Sequence, residues 1–99
     1  MLIEKIGKPA MLEQTAEECV ELAHACLKLA RYYRGDNKVY GKTEEELLDN
    51  LAEEMADVDI CFCEILNGFD LFKECEDWFI KKEYRLHKRL EELDNGDSN

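Results

Sequence analysis

Apolar residues recur at the spacing of an α-helix through three long stretches of this chain, and this periodicity limits the fold more than any other feature. From Ala10 to Tyr33 they follow spacings of three, four and seven residues, which is the helical period. The same period runs from Leu47 to Ile65 and from Leu71 to Leu93. No segment alternates with the period of two that a β-strand needs. The sequence therefore predicts an all-α fold with three long helices.

The ends of these helices are marked by the few residues that break or cap helices, since the chain has one proline and five glycines. Pro9 suits the first turn of a helix. Thr43, with Glu46 three residues later, predicts a capping box, and Gly68 predicts a helix end. Asp70 can cap the helix that follows. The predicted elements are a short helix or arm at residues 1–6, helices at about 9–34, 43–67 and 70–93, a loop at 34–42, and a polar, frayed tail at 94–99.

The length of 99 residues (11.6 kDa) predicts a single domain over residues 1–99. The short connection near Gly68 predicts antiparallel neighbours in a helical bundle. A chain of this size buries only about 60–65% of its unfolded surface. Three long amphipathic helices therefore leave apolar surface uncovered, and we expect the bundle to be completed by self-association.

The charge and the cysteines limit the function classes. With 24 acidic and 13 basic residues, the net charge of −11 argues against nucleic acid or an anionic membrane surface as the main partner. No apolar run reaches the roughly 18–20 residues that span a bilayer, and the N-terminus lacks a signal-peptide layout. The five cysteines contain no CxxC pair and lie within apolar periodic stretches. This predicts reduced, buried thiols in a cytoplasmic protein.

Four carboxylates lie on or beside the apolar stripes. Glu18 falls in the middle of the first stripe and Glu21 borders it one turn later, while Glu54 and Asp57 repeat this arrangement at the edge of the second. Residues 43–72 contain ten acids and no lysine or arginine. An ionised carboxylate facing a core is costly unless it is paired or binds a metal, and Mg²⁺ prefers carboxylate oxygens. These residues predict a divalent metal site; the alternative is that they edge imperfect stripes and reach water.

The third predicted helix carries basic residues. Lys82 lies four residues after Trp78 and four before Leu86, within the apolar stripe, and Arg85 flanks it. Two interpretations remain open. The side chains extend along the apolar seam with their charges in solvent, or Lys82 and Arg85 face the carboxylates and contact the phosphates of a bound anion.

The carboxylate pairs belong to two short motifs, EECVE at residues 17–21 and EEMAD at 53–57. These resemble the EExxE and ExxD signature of MazG-like nucleotide pyrophosphohydrolases, which belong to the all-α NTP pyrophosphatase superfamily. The KxxRxxxR pattern at 82–89 is similar to that of short family members found in phages and prophages. The resemblance covers roughly residues 9–93.

The resemblance implies an enzyme that hydrolyses a nucleoside triphosphate to the monophosphate and pyrophosphate by water attack at the α-phosphorus. It implies Mg²⁺ as cofactor, with Mn²⁺ as a substitute, and a homodimer or homotetramer. It leaves open whether residues 1–8 close the site or serve the oligomer. The implied roles are metal binding by Glu18, Glu21, Glu54 and Asp57, help in deprotonating water by Glu21, and phosphate binding by Lys82 and Arg85.

Two other functions also fit the sequence. One is a catalytically inactive helical module that binds a nucleotide or a metal and acts through self-association. The other is a purely structural helical adaptor, for which the acidic seam has no explanation. Mg²⁺-dependent stabilisation separates the adaptor from the other two, and turnover separates the enzyme from the inactive module.

Overall fold

The computed structural model describes residues 1–35 and 41–97, and these are helical over most of their length. No strand occurs in these two ranges, so the predicted all-α class is confirmed. The chain divides into two compact units, one from Met1 to Phe69 and one that begins at Asp70. The helices are α1 (Leu2–Ile6), α2 (Lys8–Arg34) and α3 (Glu44–Gly68) in the first unit and α4 (Phe72–Asp97) in the second.

Local sequence signals account for the ends of α2 and α3. α2 has Pro9 in its first turn and ends before Gly35. The N–H of Gly35 donates to the carbonyl of Arg31 at 3.1 Å, and its left-handed φ of 68° turns the chain out of the helix. α3 begins after Thr43, whose Oγ1 accepts a hydrogen bond from the Glu46 N–H at 3.2 Å. Thr43 thereby caps the helix as predicted, without the return hydrogen bond from the Glu46 side chain that a full capping box has. The helix end at Gly68 is confirmed. Most of the predicted loop at 34–42 lies outside the described residues.

α2 and α3 run antiparallel, and two apolar clusters hold their ends together. Leu29, near the end of α2, packs with Leu47, near the start of α3. Met11, near the start of α2, packs with Cys61, near the end of α3, and with Ile3 of α1. Met11 and Leu47 are almost completely buried. The middle turns of α2 and α3, which carry the EECVE and EEMAD motifs, lie between the two clusters.

Much of the apolar periodicity is exposed in the first unit. Leu12, Val20, Met55, Ile60 and Phe62 each keep about half of their surface accessible. All five cysteines are free thiols, but Cys26, Cys63 and Cys75 are exposed, so their predicted burial is wrong. For Cys26 and Cys63 the physical reason is that the core of this unit takes one narrow stripe from each helix, while the apolar residues of the sequence cover a wider face.

Two predictions about α4, the helix of the second unit, are wrong. Asp70 has a φ of 53° and does not cap the helix; the carbonyl of Leu71 instead accepts the first helical hydrogen bond, from the Cys75 N–H at 3.0 Å. The helix also continues to Asp97, through most of the predicted frayed tail. Local propensity does not explain the extension, because its residues, Asp94 to Asp97, are poor helix formers.

A bilayer-spanning segment is absent from the described part of the chain. Neither within residues 1–35 nor within 41–97 does any helix combine the length and the apolarity that crossing a membrane requires.

Candidate metal centre

Carboxylates from α2 and α3 meet in two overlapping groups. In the first, Glu18, Glu21 and Glu54 each offer a carboxylate oxygen, and these oxygens lie within 4.8 Å of one another. In the second, Glu53, Glu54 and Asp57 do the same. Glu54 belongs to both groups. All four carboxylates that the sequence singled out therefore lie at one location, which we call the carboxylate cluster, and Glu53 joins them there.

Helical geometry and antiparallel packing together produce this cluster. Glu18 and Glu21 are three residues apart, as are Glu54 and Asp57, so each pair occupies adjacent turns on one side of its helix. The packing of α2 on α3 brings the middle of one helix against the middle of the other. Oxygen ligands from two rigid helices are thus presented at one point, an arrangement that suits a hard divalent cation.

Two oxygens of the cluster are buried and unsatisfied. Oε2 of Glu18 and Oε2 of Glu54 accept no hydrogen bond from any described residue. The other oxygen of Glu18, Oε1, accepts one from Gln14 Nε2 at 2.8 Å. Within the described part of the first unit, no lysine or arginine pairs with the cluster. Leaving a buried polar group without a partner is unfavourable, and more so when the group is charged, so these two oxygens fit a bound cation.

The electrostatics of Glu18 reflect the same arrangement. Burial raises the pKa of the Glu18 carboxyl above its ordinary value, and the negative charges of Glu21 and Asp57 raise it further. The hydrogen bond from Gln14 acts in the opposite direction. Burial also raises the pKa of the Cys61 thiol, with a smaller contribution from the charge of Glu18. A divalent cation at the cluster would favour the ionised form of Glu18.

The raised pKa of Glu18 predicts a pH dependence of stability in metal-free protein. The folded state holds the Glu18 proton more tightly than the unfolded chain does. The contribution of protonated Glu18 to the free energy of unfolding is therefore complete below its ordinary pKa of 4.5, and it is lost as the pH rises through the raised pKa. Glu18→Gln removes this titration. In urea denaturation with EDTA, we expect the variant to gain stability relative to the wild type as the pH rises above the ordinary Glu18 pKa of 4.5. A difference that stays constant with pH would contradict this assignment.

The remaining predicted site residues are basic and belong to α4. Lys82 and Arg85 are exposed on α4, in the second unit, and their contact with phosphate stays a prediction. Trp78, predicted within an apolar stripe, is half exposed, and the Lys81 ammonium lies 5.0 Å from the centre of its ring.

Sequence reasoning passed over three residues of the first unit. Glu53 is the first acid of EEMAD, and its place in the motif was the available signal. Gln14 lies one turn before Glu18 and donates to it, a spacing that local sequence could have indicated. Glu64 is buried at the far end of α3 and bonds to α1. Its one signal was an acid within an otherwise apolar run.

Comparison with known proteins does not assign this chain to a family. No protein-family model, curated protein or solved structure gives a significant match to this chain. Interpretation of the centre therefore depends on its own residues and their geometry.

Proposed function

We propose that this protein is a Mg²⁺-dependent, MazG-like nucleoside triphosphate pyrophosphohydrolase, a hydrolase that releases a nucleoside monophosphate and pyrophosphate. The observation that carries the proposal is the pair of buried, unsatisfied carboxylate oxygens of Glu18 and Glu54. They come from different helices and lie within one group of acids. A structural role would leave their charge uncompensated, whereas a divalent cation would satisfy both.

The donor set suits Mg²⁺, because it consists of carboxylate oxygens without a nitrogen or sulfur ligand. Glu18, Glu21, Glu54 and Asp57 would hold the metal. When bound, Mg²⁺ supplies charge neutralisation for phosphate oxygens and lowers the pKa of water. Mn²⁺ has similar ligand preferences and is the expected substitute.

The residues of the chain then have separate tasks. Glu21 is the exposed member of the first group, so it can accept a proton from the attacking water and pass it to solvent. As the water oxygen bonds to the α-phosphorus, the bond from that phosphorus to the oxygen bridging the α- and β-phosphates breaks, and pyrophosphate leaves with the electron pair. Lys82 and Arg85 would offset the charge on the leaving pyrophosphate.

Self-association is part of the proposal. Exposed apolar side chains on both α2 and α3, among them Val20, Met55 and Phe62, support a homodimer or homotetramer. The same surface favours the second candidate, an inactive module that binds a nucleotide or metal and acts by associating with itself. The free thiols suit a cytoplasmic protein.

Product analysis with a panel of ribo- and deoxynucleoside triphosphates, with and without Mg²⁺, tests the proposal. We expect monophosphate and pyrophosphate in equal amounts, with Mg²⁺ only. Orthophosphate and diphosphate would show that another phosphorus is attacked. No turnover with any nucleotide, together with a melting temperature raised by Mg²⁺, would favour the inactive module.

A further inference from the structure

A cleft of about 360 Å³ lies directly beside the carboxylate cluster, and all three helices of the first unit line it. Glu18 and Asp57 contribute carboxylates. α1 contributes two apolar side chains, Leu2 and Ile6. The cleft thus joins a polar end, at the cluster, to an apolar wall that belongs to α1. The rest of its lining consists of Gln14, Ile60 and Cys61.

α1 is tied to α3 by a buried carboxylate. Among the described residues, Glu64 is the one charged side chain that is buried, with 7% of its surface exposed. Its Oε1 accepts hydrogen bonds from the backbone N–H groups of Leu2 and of Ile3, the latter at 3.3 Å. These two N–H groups lie in the first turn of α1, where the helix itself offers no acceptor. The bonds satisfy both partners and join segments more than 60 residues apart in sequence.

A close steric fit at Gly68, one helical turn after Glu64, completes the attachment of α1 to α3. Ile3 is 5% exposed and packs with Met11 and Cys61. It also lies against Gly68, where an added Cβ would come within 2.9 Å of Ile3 Cγ2 and closer still to Cδ1. Glu64 and Gly68 together therefore form a socket that receives the start of α1. Neither residue belongs to the carboxylate cluster.

The socket is what keeps α1 in place. Helices shorter than about 12–15 residues are marginal in water on their own, and α1 has five residues. Without its hydrogen bonds to Glu64 and the packing of Ile3, α1 would lose its helical order and the cleft would lose its apolar wall. Leu2 and Ile6, both nearly half exposed, would no longer line it.

We infer that Glu64 is a positioning residue, which sets α1 as the wall against which the nucleoside part of the substrate packs. This inference rests on the proposed function, since phosphates at the carboxylate cluster would direct the nucleoside along the cleft. Ligand pockets range over about 300–1,000 Å³, so a cleft of about 360 Å³ suits a single nucleoside. An apolar wall beside the amide of Gln14 matches a flat heterocycle with a polar edge.

Steady-state kinetics with the preferred nucleotide and Mg²⁺ tests this role. Glu64→Ala removes the acceptor, Gly68→Ala displaces Ile3, and Glu64→Gln keeps a carbonyl acceptor. We expect the first two to raise KM about tenfold or more, the equivalent of losing the contact of one apolar side chain, with a smaller change in kcat. We expect Glu64→Gln to stay close to the wild type, and Asp49→Asn serves as a control for removing one exposed acid from α3.

Two further measurements separate positioning from general damage. Mg²⁺ affinity from calorimetry, and the inhibition constant of inorganic triphosphate, which has no nucleoside, should remain unchanged in every variant. Hydrogen exchange should show faster exchange of the α1 amides in Glu64→Ala and Gly68→Ala. The double variant Leu2→Ala, Ile6→Ala leaves the socket intact and should raise KM in the same way, even if Glu64→Ala fails to fold.

An unchanged KM in the Leu2, Ile6 double variant would overturn the inference while leaving the proposed function standing. So would slow α1 exchange in Glu64→Ala, or an equal weakening of inorganic triphosphate binding. Absence of turnover in the wild type would overturn the proposed function, and this inference with it.

Discussion

Glu54→Gln is expected to lower kcat/KM by at least about a hundredfold while leaving the helix content unchanged. Glu54 belongs to both carboxylate groups, and its buried Oε2 has no hydrogen-bond partner among the described residues. Even residues that only support a metal ligand change activity or metal affinity by about 10–100-fold when replaced, so loss of a shared ligand should exceed this. Glutamine keeps the volume of the side chain, so packing of α2 on α3 should survive. Glu18→Gln should behave similarly.

Thermal denaturation of the same variant separates a metal ligand from a structural acid. At a Mg²⁺ concentration of a hundred times Kd, the wild type should gain about 2.7 kcal/mol, which for a chain of this size corresponds to a melting temperature at least about 10 °C higher. Glu54→Gln should lose this gain. In EDTA it should melt no lower than the wild type, because one repulsive charge near Glu18 and Glu21 is gone. Asp49→Asn should retain both turnover and the Mg²⁺ response.

Three results would contradict this assignment. Loss of helicity in Glu54→Gln would indicate a structural acid. Full turnover in the variant would remove it from the metal site. A Mg²⁺ response equal to that of the wild type would show that the ion binds elsewhere.

Met11→Ala is expected to have the largest effect on stability, a loss of about 2–5 kcal/mol in the free energy of unfolding. Met11 has no exposed surface, and its cluster includes both Ile3 and Cys61. Truncation therefore leaves a cavity where α1, α2 and α3 meet, and it weakens the attachment of α1. Since domains of this size are stable by only about 5–15 kcal/mol, the variant should be marginal at 37 °C.

The adjacent residue supplies a matched control. Leu12 is 49% exposed on the same helix, so Leu12→Ala should cost less than about 1 kcal/mol. Urea denaturation of both variants measures the difference. Equal destabilisation would mean that Leu12 is covered in solution, as self-association of the proposed kind would require. A small loss in Met11→Ala would show that the cluster around Ile3 repacks.

Predictions of helix caps depend on neighbours in sequence, and they succeeded at Thr43 but failed at Asp70. The Thr43 cap is confirmed because its hydrogen-bond partner, Glu46, is three residues away. The cap predicted at Asp70 failed because Asp70 takes a left-handed conformation, and the helix starts only at Phe72. The prediction that the cysteines are buried failed for another reason. Periodicity locates an apolar face, but how much of that face is covered depends on partners distant in sequence.

The sequence by itself determined the all-α class, the course of the long helices, and the i,i+3 pairing of acids on each of two helices. These follow from the 3.6-residue period and from capping interactions, both local properties. Only the tertiary structure decided that Glu18 and Glu21 meet Glu54, that Glu53 joins them, and that Glu64 serves α1 rather than the cluster. The register of two antiparallel helices and the docking of a five-residue helix depend on contacts between residues far apart in the chain. No local pattern encodes such contacts, because the packing of whole side-chain surfaces decides them.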